Sequence, residues 1–302
     1  MVTQSLSLQD LPGQFLKMAD TSKLTVGTVQ ALSGNQLAVK IPVVTGGDPD
    51  PSLGAGQLAY VDGAIRVYTG TVWQGIDEGV KPVTNGLLFW VDASNTSSFP
   101  GSGNSWFNLA SSEPSSIGDL TLPSGYTYLP DGGGCFQFNG GQASSANYSA
   151  GSNGMTMEVV MYNTNSDQTS TYGRIIDWND TTMSLGSYAT KQHRSWVWAG
   201  GGRMSGEYVV NSSATGFFDK WNHSVMTYNG SQVVGYWNGG QQFQVAKTGA
   251  METSNSPFTI GNGDNYAWYG KIAVVRVYNR GLTQAEVSQN YNSLKNKYSL
   301  GL

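Results

Sequence analysis

The chain has 302 residues and a formal net charge of −4, with 40 Gly, 9 Trp, 16 Tyr, 10 Phe and only 12% charged residues. Glycine is costly inside helices and helical surfaces usually carry Lys and Glu, so this composition excludes a mainly helical protein. The apolar and aromatic content excludes disorder, and no Lys/Arg cluster offers a nucleic-acid footprint.

One Cys, Cys135, excludes an intrachain disulfide and thiolate-rich zinc sites, and His193 and His223 leave little for imidazole catalysis. No run of 18 apolar residues exists, so no membrane span or insertion is expected. The N-terminal MVTQSLSLQDLPGQF lacks a charged stretch before an apolar core, so no secretory signal is expected.

Only Phe15, Tyr60, Tyr68 and Trp73 among the aromatics fall in residues 1–85, whereas charge divides evenly. Residues 1–80 read as a small β-rich attachment or oligomerisation module. Leu24–Leu32 and Leu37–Val44 are strand-like, and TGGDPDPSLGAG follows as an extended link. Asp62-Gly63 marks a hairpin between LAYV and AIRVY. So few aromatics make a thin core, a condition that partners or oligomerisation relieve. Residues 81–85 read as a linker.

Residues 86–302 alternate short strand patterns with Gly/Asn/Asp/Ser punctuation. Strands are predicted at Leu87–Val91, Cys135–Phe138, Met155–Tyr162, Arg174–Trp178, Arg194–Trp198, Glu207–Val210, His223–Tyr228, Gln232–Trp237, Phe258–Ile260 and Lys271–Tyr278. Their number and spacing predict a sandwich or jelly roll. One helix closes the chain in LTQAEVSQNYNSLKNKY. Thr283 and Glu286 form a capping box there, and Leu282 and Val287 a hydrophobic staple. Val287, Tyr291, Leu294 and Tyr298 give an apolar stripe, and Lys295 and Lys297 lie near the C-terminal end, where cations are favoured.

Four passages carry a resemblance. GLLFWVDASNTSSFPGSGNSWFNLA, CFQFNG, KWNHSVMTYNGSQVVGYWNGGQQ and PFTIGNGDNYAWYGKIAVVRVYNRGLTQAEVSQNYNSLKNKY succeed one another in order. Residues 86–302 thereby resemble the concanavalin A-like lectin/glucanase superfamily, specifically laminin-G-like jelly rolls of phage and other viral structural proteins. The resemblance implies an all-β fold, an antiparallel β-sandwich jelly roll with a C-terminal helix. GQLAYVDGAIRVYTGTVWQ is similar to short modules of phage fibre and head-decoration proteins. The fold hosts lectins, glycosidases and passive spacers, so function rests on the site.

Glucanases of this superfamily place two carboxylates close together on one strand, and retaining chemistry needs them about 5–5.5 Å apart. The six Glu are Glu78, Glu113, Glu158, Glu207, Glu252 and Glu286, and none has a carboxylate two or four positions away. Asp177 and Asp180 straddle a turn. Cys135 reads as a core thiol and His223 as a strand-positioned residue. No catalytic residue is predicted, and the protein is expected not to be an enzyme.

Sugars are held by aromatic faces and by polar groups that bond their hydroxyls. Three patches have that mixture: Asp177, Trp178, Asn179 and Asp180; Arg194, Trp196 and Trp198; and Asn262, Asp264, Asn265, Tyr266 and Trp268. The competing reading makes the alternating Trp residues core and GNGDN a loop of Asx-turns. Calcium stays open at the two acidic loops, although no calcium motif is matched.

These readings together predict a bacteriophage virion structural protein, a tail fibre or a capsid fibre or decoration protein, assembled in the host cytoplasm. Residues 1–80 would contact other virion proteins as a homo-oligomer, with a trimer favoured, and the jelly roll would meet host-surface glycans. A non-binding cement or spacer protein and a glycoside hydrolase are the alternatives.

Overall fold

The computed structural model describes residues 43–44, 58–61, 64–68 and 73–75 before position 80. After it, residues 80–110, 117–130, 133–149, 153–163, 172–179, 182–188, 192–208, 219–252, 254–263 and 266–300 are described. The chain divides into two compact units, Met1–Asp77 and Glu78–Leu302.

In the first unit, β1 (Val43–Val44) runs parallel to β2 (Leu58–Val61). β2 pairs antiparallel with β3 (Ala64–Tyr68), and β3 with β4 (Trp73–Gly75). Val61 lies opposite Ala64, so Asp62-Gly63 connects the β2–β3 hairpin. The predicted strand Leu24–Leu32, and Leu37–Val44 apart from β1, lie outside the described residues.

The second unit begins with β5 (Leu87–Asp92), β6 (Ser105–Trp106), β7 (Leu120–Thr121), β8 (Thr127–Leu129), β9 (Cys135–Asn139), β10 (Ala143–Tyr148) and β11 (Met155–Tyr162). β12 (Tyr172–Trp178), β13 (Met183–Tyr188), β14 (Gln192–Ala199), β15 (Gly202–Tyr208), β16 (Trp221–Tyr228), β17 (Gln232–Trp237) and β18 (Gly240–Ala246) come next. The chain ends with β19 (Ser256–Ile260), β20 (Asn262–Gly263), β21 (Tyr266–Ala267), β22 (Tyr269–Tyr278) and α1 (Gln284–Tyr298).

Two antiparallel sheets form the sandwich. One, the cleft sheet, has the order β15-β14-β13-β12-β19-β10-β7-β6. The other, the helix sheet, has the order β18-β17-β16-β11-β22-β9-β8, with β5 also on β22. The inner faces share one core that includes Phe89, Trp106, Phe136, Trp178, Phe258 and Trp268. A fully buried Phe contributes roughly 1.5–3 kcal/mol. β10 (ASSANY), β13 (MSLGSY) and β18 (GQQFQVA) escape the sequence pattern, because their small and polar residues have weak strand preference until neighbouring strands pair with them.

The helix obeys its sequence signals. Thr283 Oγ1 accepts from the Glu286 N–H at 3.3 Å, and Glu286 Oε2 accepts from the Thr283 N–H at 2.9 Å. Leu282 and Val287 are buried in one cluster with Leu87, Val225 and Tyr278. Leu294 and Tyr298 join Cys135, Val160 and Val274 in another. The helix therefore covers the outer face of the helix sheet, which explains why seven of the eight residues of β11 are buried. Burial pushes the Cys135 thiol up, against the opposing pull of Lys271, so it stays a core thiol. No described helix is long and apolar enough to cross a membrane.

Candidate functional site

The outer face of the cleft sheet carries one continuous polar row. Ser105 pairs with Thr121, Thr121 with Ser144, Ser144 with Thr259, Thr259 with Asp177, Asp177 with Ser184, and Ser184 with Trp196. Residues directly opposite in antiparallel strands share a face. The sequence neighbours Trp106, Leu120, Ala143, Phe258, Trp178, Met183 and Val197 all belong to the inner core. The row therefore points outward, and only tertiary pairing aligns it.

A short hairpin folds over the middle of this row. β20 and β21 pair with Gly263 opposite Tyr266. The Gly261 N–H donates to the Ile175 carbonyl at 2.9 Å, and the Asn262 side chain to the Gly140 carbonyl at 3.1 Å. Gly263 touches Asp177 so closely that a Cβ there would lie 2.5 Å from both Asp177 Cβ and Oδ2. Glycine is needed here for close approach. The Arg174 guanidinium carbon sits 3.7 Å from the Trp196 ring centroid and 5.2 Å from that of Tyr266. This cation–π contact anchors the hairpin to the sheet.

Beside the hairpin lies a cleft of about 240 Å³, lined by Gln142, Asp177, Asn179, Ser256, Pro257, Thr259 and Gly263. Asn179 occupies the left-handed region (φ 49°), which Asn tolerates better than most residues. From there its amide donates to Ser254 Oγ at 2.8 Å and Ser256 Oγ at 3.3 Å. Thr259 Oγ1 donates to the Asp177 carbonyl at 3.3 Å. The wall is thus mostly hydroxyls, amides and one carboxylate, with Asp177, Ser256, Thr259 and Gly263 held in strands and Gln142 and Asn179 at strand ends.

Several predicted residues meet here and others do not. Asp177, Trp196, Asn262 and Tyr266, which came from three separate patches, converge on this face. Trp178 and Trp268 are corrected: at 1% and 0% exposure they face the inner core and cannot stack on a sugar. Trp196 is also corrected as a stacking platform, because it is 3% exposed and the Arg174 guanidinium lies over its ring. Trp198 is part-buried and lies on the same strand. Arg194 lies in β14 opposite Gly186 and Glu207, and its side chain is outside the described residues, as are Asp180 and Asp264. The calcium question at the acidic loops falls there too. Among the described residues no group of three His, Cys, Asp or Glu could hold a metal ion.

A second polar cluster lies under the helix. Glu158 Oε1 accepts from Arg276 Nη1 at 2.8 Å and meets His223 Nε2 at 3.0 Å. Asn290 Nδ2 donates to Glu158 Oε2 at 2.6 Å and contacts the Tyr278 hydroxyl at 2.9 Å. Asn290 Oδ1 accepts from the Val83 N–H at 2.8 Å. Burial opposes ionisation of Glu158, but Arg276, His223 and Asn290 outweigh it and hold the carboxyl below its ordinary range. Glu158 and Asp177 project from opposite outer faces of the sandwich. Its sheets stand about 10 Å apart, so the two carboxylates exceed the separations of roughly 5–9.5 Å that glycoside hydrolysis uses.

A family model of the concanavalin A-like lectin/glucanases superfamily matches residues 137–288, half of the chain. The chain belongs to this superfamily. No curated protein sequence matches it. Solved concanavalin A-like structures share the fold at low identity. The binding domain of paraclostridial mosquitocidal protein 1 matches with a TM-score of 0.52 at 15% identity, over 70% of this chain and 53% of that one. The botulinum neurotoxin serotype D ligand-binding domain, solved with N-acetylneuraminic acid, gives 0.55 at 11% identity, over 69% and 51%. The chain thus spans about half the length of these two toxin domains. Domain 4 of AbnA, an extracellular arabinanase of Geobacillus stearothermophilus solved with arabinotriose, gives 0.53 at 15% identity, over 69% of this chain and 100% of that domain.

Proposed function

We propose that the concanavalin A-like unit is a carbohydrate-binding display domain without catalytic activity. The observation that carries this reading is the cleft at Asp177, set in an outward row of hydroxyl-bearing residues. Such groups both donate to and accept from sugar hydroxyls. The sugar-bound neurotoxin and arabinanase domains share the fold and support a glycan as ligand. The separation of Glu158 from Asp177 supports binding rather than hydrolysis.

The same proposal extends to the setting of the protein. The unit Glu78–Leu302 is displayed by a bacteriophage virion structural protein, a tail fibre or a capsid fibre or decoration protein, on host-surface glycans. The unit Met1–Asp77 contacts other virion proteins and forms a homo-oligomer. The uneven aromatic content and the phage-like passages support this extension. A glycan array probed with the full chain tests the binding reading: specific signals lost in Asp177→Ala are expected, and a blank array overturns it. Mass spectrometry and cryo-electron microscopy of purified particles test the setting, which absence from the virion overturns.

A further inference from the structure

The exposed aromatic rings of the second unit share one side of the sandwich. Among the described residues only Phe107 and Tyr266 are exposed aromatics, at 40% and 38%. Tyr266 belongs to the hairpin that folds over β12. Phe107 directly follows β6, at the far edge of the same sheet. Ser105 pairs with Thr121 and Trp106 with Leu120, and continuing that register by one residue sets Phe107 opposite Asp119. Trp106 and Leu120 lie in the inner core, so Phe107 and Asp119 face outward beside Ser105 and Thr121. Asp119 and Thr121 are exposed.

The backbone under the Phe107 ring is pinned. Its N–H donates to the Ser98 carbonyl at 2.7 Å, and its carbonyl accepts from Ser98 Oγ at 2.7 Å. Ser98 is wholly buried. The next residue, Asn108, donates its N–H to Asp119 Oδ1 at 2.8 Å, and its side-chain oxygen accepts from the Trp90 N–H at 2.9 Å. Asp119 Oδ2 has no hydrogen-bond partner among the described residues. Phe107 belongs to none of the three buried apolar clusters, so core packing does not account for an aromatic residue here. A large ring on a fixed backbone loses little freedom when a ligand covers it.

Between the two rings the polar row runs through Thr259, Ser144, Thr121 and Ser105. It opens from Thr259, which lines the cleft, through part-buried Ser144 to exposed Thr121. From β12 to β6 there are four strand steps of about 4.8 Å, a track of about 19 Å and so about the length of four sugar rings. Sugar rings stack their apolar C–H faces on aromatic rings, and their hydroxyls bond to hydroxyls and carboxylates. We propose that Phe107 is a second sugar platform, so that this face binds an oligosaccharide chain of four or more sugars across β19, β10, β7 and β6. The far sugar stacks on Phe107 and donates a hydroxyl to Asp119 Oδ2. The proposal rests on the carbohydrate-binding reading of the cleft and extends it from one sugar to a chain.

The test uses the full chain and calorimetric titration with oligosaccharides from disaccharide to hexasaccharide, cut from cellulose, xylan, arabinan, mannan and bacterial O-polysaccharide. For the glycan that binds, affinity is expected to rise at least about tenfold from disaccharide to tetrasaccharide. Phe107→Ala should abolish that gain, and Phe107→Tyr, which keeps a ring, should retain it. Thr121→Arg, which sets a large side chain across the track, should also abolish it. Circular dichroism of each variant confirms that it is folded, as expected for exposed positions. If no glycan of any length binds, the carbohydrate-binding reading itself fails. If the tetrasaccharide binds no more tightly than the disaccharide, or if folded Phe107→Ala keeps the gain with length, the binding reading stands and this proposal is overturned.

Discussion

Asn290, on the terminal helix, donates to Glu158 Oε2 at 2.6 Å although the two lie 132 residues apart in the chain. The contact ties the helix to the middle of the helix sheet. It completes a site in which a wholly buried carboxylate is held by one guanidinium, one imidazole and one amide. A buried charge with incomplete partners is costly, so the cluster locks the helix in one register.

Replacing Asn290 by Leu removes one donor to Glu158 and the acceptor of the Val83 N–H. The expected loss is about 2–4 kcal/mol, since buried polar groups are left unpaired. Glu158→Ala strands Arg276 and should cost about 3–5 kcal/mol. Chemical denaturation measures both. Folded Asn290→Leu protein should keep its glycan affinity, because the cluster lies on the opposite face from the cleft.

Acid should loosen the helix start. Hydrogen bonds from Arg280 hold the Glu286 carboxyl at about 2, below its ordinary 4.5. A depressed carboxyl contributes stability that is present above its unfolded value and lost as pH falls through its folded one. The contribution of this partly exposed pair is about 1 kcal/mol, and it should disappear between pH 4.5 and about 2. Unfolding free energy measured against pH should be flatter there in Glu286→Gln.

Gly263→Ala places a methyl group where Asp177 Cβ and Oδ2 already sit. The hairpin must shift, at an expected cost of about 1–3 kcal/mol from overcrowding. Glycan affinity should fall more than thermal stability, because the displaced atoms line the cleft. Titration and melting of the same variant separate the two effects.

Arg174→Lys keeps the positive charge but loses the planar contact with Trp196 and Tyr266. A loss of about 1–2 kcal/mol is expected, because lysine cannot reproduce guanidinium stacking. Amide exchange at Tyr266 and Ala267 should accelerate, reporting release of the hairpin from β12.

Local signals proved readable where the interaction itself is local. The capping box at Thr283 and Glu286 needs only residues three apart, and the Asp62-Gly63 hairpin needs only its two flanking strands. Short strand-like runs bounded by turn residues located ten strands of the second unit. Among the longer strands this pattern missed β10, β13 and β18, whose small polar residues owe their extended form to pairing, and it also missed the short β6, β7, β8, β20 and β21. Asn290 gave no signal, since a polar residue on a helix ordinarily faces water. Glu158 looked isolated because His223, Arg276 and Asn290 arrive from 65, 118 and 132 residues away.

The sequence by itself determined the fold class, the capped terminal helix and the superfamily, since these depend on composition, period and local spacing. It also marked Asp177, Asn262 and Tyr266 as binding candidates. Only the tertiary structure decided which aromatic faces were open. It turned Trp178 and Trp268 inward, covered Trp196 with Arg174, and aligned seven residues of seven strands into one outward row. The physical reason is register: a side chain's face and neighbours depend on which strand pairs with which, and that pairing is made by contacts distant in sequence.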